Sequence, residues 1–295
     1  MSVFISALGF GVVTAAILAI SAVGFTLQFS VTNVFNLAFG SVMTLSGFVA
    51  YWLNQVGVDI WLAMLAAAIC GGLISVAINE LLYEPFIRHG VNLFGMVIIT
   101  ISVGLIFDHG LQAVVGPSFF SYNAPAGKAL HFADFVLTRQ ELAIIAIAAA
   151  LTAVVQGALQ YTRLGKAMRG LAVNPALARA CGVPTRSVIA LAWFVSGALA
   201  GIGGVALFLD ISTFTATTGS EFLIVIIAAA VLGGVGSPRG AVLGALVVGV
   251  VTEVGGAYWN PQLKDVLAFS VMIVVLLVRP QGLFAQLANE RAVAR

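Results

Sequence analysis

The sequence predicts an all-α, polytopic transmembrane helical bundle, and three observations carry that prediction. Of 295 residues, 61% are hydrophobic and only 8% are charged, whereas a soluble domain carries about a quarter charged residues. The mean hydropathy is +1.11, so the solvent for most of the chain must be lipid. The apolar residues also fall in runs close to the roughly 20 residues that a spanning helix needs. They do not alternate as barrel strands do.

The runs lie at about 5–28, 34–53, 61–83, 93–115, 141–161, 187–209, 222–236, 240–258 and 264–279. They leave room for eight to ten spans in a single membrane domain, 1–295. The first run has no Lys or Arg before it, only Met-Ser-Val-Phe, so it is expected to be retained as a span rather than cleaved. The second has a polar-spotted start, Phe29 to Gly40, and the run at 222–236 is short. Both suit broken or re-entrant helices, which are tolerated where the backbone is buried in protein. Gly71–Glu80 (GGLISVAINE) and Gly244–Glu253 (GALVVGVVTE) each set a glycine nine residues before a glutamate. An inverted repeat would give such an echo, and so would chance in a composition rich in Gly, Ala and Val.

Orientation follows from the Lys and Arg residues of the short loops. Tyr161 to Ser187 holds Arg163, Lys166, Arg169, Arg179 and Arg186 with no acid, which predicts a cytoplasmic loop. Counting outward, Arg88, Arg239, Arg279, Arg291 and Arg295 fall on the same side. The 114–140 connection, with Lys128, Asp134 and Arg139, falls on the other, as does the N-terminus. The net charge of +2 suggests no nucleic-acid partner. Cys70 and Cys181 are expected to be unpaired thiols, and His89, His109 and His131 are scattered without metal-ligand spacing.

The loop itself encodes a short helix. Asn174 is a favoured N-cap, Pro175 suits the first turn, Ala176 to Cys181 are small and mostly helix-favouring, Gly182 can adopt the left-handed C′ position, and Pro184 stops continuation. Two turns are marginal in water, so packing must hold them. The residues allow two readings: a surface helix whose charges sit among lipid headgroups, or a helix that docks into a cytoplasmic partner.

Gly197 and Gly201 form a GxxxG pair, followed by Gly203 and Gly204, and Gly236, Gly240 and Gly244 form another series. Such faces let helices approach closely in lipid. No Walker A phosphate loop is present, since Gly165-Lys166 lacks both the glycine five residues earlier (Gln160) and a following Ser or Thr. Ionisable residues in spans are costly and often functional. Glu80 and Glu253 are the deepest, with Asp108 next. Asn36, Ser41, Thr44, Thr100 and Ser102, with Glu80 and Glu253, are candidates for lining a solute path; hydrogen bonding between helices explains them equally well.

Five segments in order resemble the LivH-type permeases of the branched-chain amino acid (hydrophobic amino acid and amide) ABC importers. GKAMR at 165–169 with ALARACGV at 176–183 is similar to that family's cytoplasmic coupling loop. NLAFG at 36–40 resembles its N-hydrophobe-A-H-G motif, with Phe39 where the family often has His. NELLYEP at 79–85, AVLGGVGS at 230–237 with Gly240 and Gly244, and RPQGLF at 279–284 resemble its other signatures. The resemblance implies a multi-pass permease of the bacterial inner membrane, embedded in lipid, that forms half of a translocation path. Its partners would be a second, LivM-like permease, two LivG/LivF-like ATPases that hold the ATP and Mg, and a periplasmic binding protein. No cofactor or catalysis is expected on this chain. The loop at about 162–187 would couple it to the ATPases through Arg169, Asn174, Pro175, Ala176, Ala178, Arg179, Ala180 and Gly182. The alternative is a self-contained secondary transporter with Glu80 and Glu253 as ion sites. An intramembrane enzyme fits least, because no nucleophile–base or metal constellation appears.

Overall fold

A computed structural model of the chain describes residues 2–124, 130–132, 135–279 and 282. The helices are α1 (Ser2–Thr32), α2 (Phe39–Gln55), α3 (Ile60–Ala77), α4 (Glu84–Arg88), α5 (Leu93–Val115), α6 (Arg139–Tyr161), α7 (Arg163–Val173), α8 (Pro175–Ala180), α9 (Thr185–Ile211), α10 (Thr218–Gly233), α11 (Pro238–Tyr258) and α12 (Lys264–Val278). A π turn, Ile78–Tyr83, joins α3 to α4, and a 3-10 turn, Pro261–Leu263, precedes α12. Strands β1 (Leu130–Phe132) and β2 (Phe135–Leu137) pair antiparallel in the connection before α6.

Seven helical segments among the described residues are long and apolar enough to cross a membrane: Phe4–Thr32, Ile60–Arg88, Leu93–Val115, Arg139–Tyr161, Thr185–Ile211, Pro238–Tyr258 and Pro261–Val278. The protein is thus an all-α, multi-pass membrane protein. The apolar runs at 34–53 and 222–236 correspond to the shorter α2 and α10, of 17 and 16 residues. The polar-spotted stretch contains a real break. α1 ends at Thr32, Asn33 takes a left-handed φ of 54°, and α2 starts at Phe39. The last motif, RPQGLF, lies mostly outside the described residues, as do Lys128, Asp134, Arg291 and Arg295.

Contacts divide the chain into two compact units. One comprises the described parts of 1–26, 124–153 and 224–295; the other comprises 27–123 and 154–223. In the first unit, α11 packs on α12. A Cβ added at Gly244 would collide with the Ala229 carbonyl, and one at Gly240 with the Gly233 carbonyl, so α10 and α11 touch backbone to backbone. Gly249 lies against Ala15 of α1 in the same way, since a Cβ there would stand 2.6 Å from the Ala15 Cα.

The second unit is built on α2, α3 and α9 packed on one another, with α5 against α2. A Cβ at Gly197 would fall on the Gly71 carbonyl, and one at Gly201 on the Ala67 carbonyl. These contacts bring α3 and α9 together at close range, where lipid supplies no hydrophobic drive for association. Capping this unit is an aromatic cluster in which Phe208 and Phe214 stack at 4.1 Å and Phe48 meets Phe214 edge-on at 5.4 Å. Tyr122, outside the spans, donates from its hydroxyl to the Gly47 carbonyl at 2.9 Å. Burial pushes its phenol above the usual range.

Candidate functional site

The polar loop between α6 and α9 is ordered by its own sequence. Thr162 caps α7, its hydroxyl accepting from Gly165 N at 3.0 Å. Asn174 Oδ1 accepts from Ala176 N at 3.1 Å and from Leu177 N at 3.0 Å, which starts α8 at Pro175. Gly182, at φ 81°, ends it in the left-handed region. α7 was not expected from the sequence as a separate element, although Leu164, Met168 and Leu171 carry the i, i+4, i+7 spacing of an amphipathic helix.

Packing holds the loop to its own unit. Met168, Leu171 and Ala178 are buried in one cluster with Leu27, Val31, Val188 and Ala192. Burying a side chain such as Leu171 or Met168 stabilises by about 1.5–3 kcal/mol, enough to hold helices that would not persist alone. The opposite side faces outward: Leu177 is 61% and Val173 87% exposed. Arg169, Pro175, Ala176, Arg179 and Ala180 are exposed as well.

Beside the loop is a cavity of about 730 Å³, with Asn79, Glu80, Arg88, Leu171, Arg179 and Arg186 in its wall. Here Arg186 donates from Nη2 to Glu80 Oε2 at 2.8 Å, an ion pair between residues 106 positions apart. Arg88 and Glu84 pair at 3.0 Å within α4. Glu80 therefore carries a basic partner. Glu253, in the other unit, does too: Lys264 Nζ donates to both of its carboxylate oxygens at 2.7 Å, and Thr14 Oγ1 donates at 3.1 Å. The two glutamates of the sequence echo thus share a pattern, each following a glycine packed on a neighbouring helix and each held by a cation.

The remaining path candidates distribute as follows. Asn36 sits in the α1–α2 break, accepting through Oδ1 from the Tyr83 hydroxyl at 2.9 Å and from Ala38 N at 3.1 Å. Thr100 donates to the Phe35 carbonyl at 3.1 Å, tying α5 to the same break. Ser41 donates to the Gly104 carbonyl at 3.2 Å and lies 3.1 Å from Ser220 Oγ. Thr44 Oγ1 accepts from Gly219 N at 3.0 Å. Ser102 stands apart, exposed and bonded to Ile98 of its own helix. Asn36, Ser41, Thr44 and Thr100 are buried and cross-link α2, α5, the break and the start of α10.

Residues 7–276 match the sequence family described as the branched-chain amino acid transport system permease component. The chain belongs to that family. Among individual relatives, this permease is 29% identical to the high-affinity branched-chain amino acid transport system permease protein LivH of Salmonella typhimurium, with 94% of each chain covered. It is 26% identical to BraD, a permease of the same description from Pseudomonas aeruginosa, again over 94% of each. A solved structure of PsaBC from Streptococcus pneumoniae, in complex with Fab, superposes with a TM-score of 0.55. It covers 95% of this permease and 94% of that chain at 14% identity, a likeness of fold.

Several residues that organise the permease's polar interior were not singled out by sequence. Tyr83 and Trp193 are fully buried and meet edge-on at 5.5 Å. Gln28 accepts from the Ser196 hydroxyl at 3.1 Å. Their signal was present as polar or amphipathic side chains inside apolar runs, but which neighbour each would meet is set by long-range packing. Among the described residues, no group of three or more His, Cys, Asp or Glu side chains could hold a metal ion.

Proposed function

We propose that this permease forms half of the solute path of an ABC importer in a bacterial inner membrane. The path carries branched-chain amino acids or related small polar solutes. A second, LivM-like permease completes the path, a periplasmic binding protein delivers the solute, and two LivG/LivF-like ATPases bind the ATP and Mg. Coupling runs through the 162–187 loop, which on this reading faces the cytosol. The observation that carries the proposal is the two-sided character of α8. Ala178 is buried in the cluster of its own unit, while Leu177 stays exposed beside Arg179, and Val173 at the end of α7 is exposed as well. Exposed apolar groups with a basic rim outside the spans are what a helix docking into a partner presents. Movement of α8 is then transmitted through the Met168 and Leu171 packing and the Arg186–Glu80 pair to α9 and the π turn.

The test is reconstitution with the ATPases in proteoliposomes. Leu177→Glu is expected to abolish ATP-driven uptake and solute-stimulated hydrolysis while the purified permease melts like the wild type. Uptake at the wild-type rate by this variant, or uptake by the permease alone, would overturn the proposal.

A further inference from the structure

Glu80, Glu84 and Glu253 each hold an Arg or Lys at 3.0 Å or less. Asp108, on α5, has no ion-pair partner among the described residues, although it is only 8% exposed. What it faces instead are two hydroxyls, those of Ser41 on α2 and Ser220 on α10. Of the ionisable groups, His109 and Glu221 act on it electrostatically. Asp108 Oδ1 is buried with no hydrogen-bond partner.

The surroundings are built to bring these groups together. Gly40 and Gly219 let α2 and α10 touch, so closely that a Cβ at Gly40 would stand 2.6 Å from the Gly219 carbonyl oxygen. That contact sets Ser41 beside Ser220. Gly104, one turn before Asp108, keeps its carbonyl open to Ser41, since a Cβ there would come within 3.3 Å of Ser41 Oγ. One carboxylate, two hydroxyls and the Gly104 carbonyl are thereby gathered.

The cluster holds fewer hydrogens than its oxygens can accept. The two hydroxyls bring one hydrogen each. Ser41 gives its hydrogen to Gly104, and that of Ser220 serves either Ser41 or Asp108. An ionised Asp108 is left with an excess of acceptors in a region where uncompensated charge is costly. One unit of positive charge, a proton on the carboxyl or a bound cation, completes the cluster.

We propose that Asp108, Ser41, Ser220 and the Gly104 carbonyl form an intramembrane site for a small monovalent cation, either the ammonium group of a transported amino acid or a free alkali-metal ion. One carboxylate matches one positive charge, and hydroxyl and carbonyl oxygens complete a hard-ligand set; a divalent ion draws on more oxygens and more anionic charge. The bound cation takes over the lone pairs that now serve the Ser41–Ser220 bond. The ammonium form rests on the importer function proposed above; the alkali-ion form does not.

Thermal unfolding of the purified full chain in detergent tests the site at constant ionic strength. The titrants are leucine, 4-methylpentanoate (the same skeleton without the ammonium), sodium chloride and N-methylglucamine chloride. A saturable rise in midpoint with leucine but not 4-methylpentanoate assigns the ammonium. A rise with sodium but not N-methylglucamine assigns the alkali ion. Asp108→Asn should remove whichever rise is seen, and Ser220→Ala, which keeps the charge, should raise the half-saturating concentration on the order of tenfold. No rise in the wild type with either cation, or an unchanged rise in Asp108→Asn, overturns the proposal. A sodium-specific rise lost in Asp108→Asn, in a protein that shows no ATP-driven uptake, would refute the importer function and leave this site standing.

Discussion

The Tyr83 hydroxyl donates to Asn36 Oδ1 at 2.9 Å, joining the π turn to the break between α1 and α2. Both side chains are fully buried, and Asn36 also accepts from the Ala38 amide. Tyr83→Phe removes one donor and keeps the ring against Trp193, so it should cost about 1 kcal/mol. Asn36→Ala leaves a buried hydroxyl and an amide without their acceptor and should cost about 2–3 kcal/mol. Thermal unfolding in detergent checks the order, and equal losses would refute the shared-acceptor geometry.

Glycine contacts should separate into two classes. Gly197→Ala drives a methyl into the Gly71 carbonyl on α3 and is expected to destabilise by about 1–3 kcal/mol. Gly170, on α7, has open space around it, and Gly170→Ala should stabilise by about 0.5–1 kcal/mol through helix propensity. Chemical denaturation of the two variants side by side gives the comparison; matching signs would be the wrong result.

The cap of α8 is a local feature with a local readout. Asn174→Ala removes both Oδ1 bonds and should cost about 1 kcal/mol. Exchange of the Ala176 and Leu177 amides should quicken by about fivefold through local opening of α8. Hydrogen–deuterium exchange over 174–182 reads this, and slow exchange in the variant would mean that packing alone holds the helix.

The Glu253–Lys264 pair is half in water, with side-chain exposures of 17% and 40%. Lys264→Met should cost about 1 kcal/mol, because solvent screens much of the attraction. Pairing it with Glu253→Gln should recover part of the loss, since no unmatched carboxylate remains. A double variant that falls by the sum of the single losses would show that the two residues act independently.

What the sequence made legible was whatever depends on near neighbours along the chain. The α8 stub reads directly, because Asn174, Pro175, Gly182 and Pro184 encode their own caps and stop. The nine apolar runs read because length and hydropathy are local sums. The break at 33–38 shows as a polar interruption, though its edges need the left-handed Asn33. Partners escaped that reading. Glu80 and Glu253 stand out as costly charges, but Arg186 lies 106 residues from Glu80, and no periodicity links them. The same holds for Ser41 and Ser220, joined only after α2 and α10 meet at two glycines.

The π turn at Ile78–Tyr83 has a geometric corollary. Such a turn is an α-helix carrying one surplus residue in a widened loop. Passing that surplus along the chain would swing everything after it by about 100° and shift it about 1.5 Å along the axis, without unwinding the helix. Glu84, Pro85 and Arg88 follow the widened turn directly, so a one-residue ratchet there would re-aim the whole tip of the span.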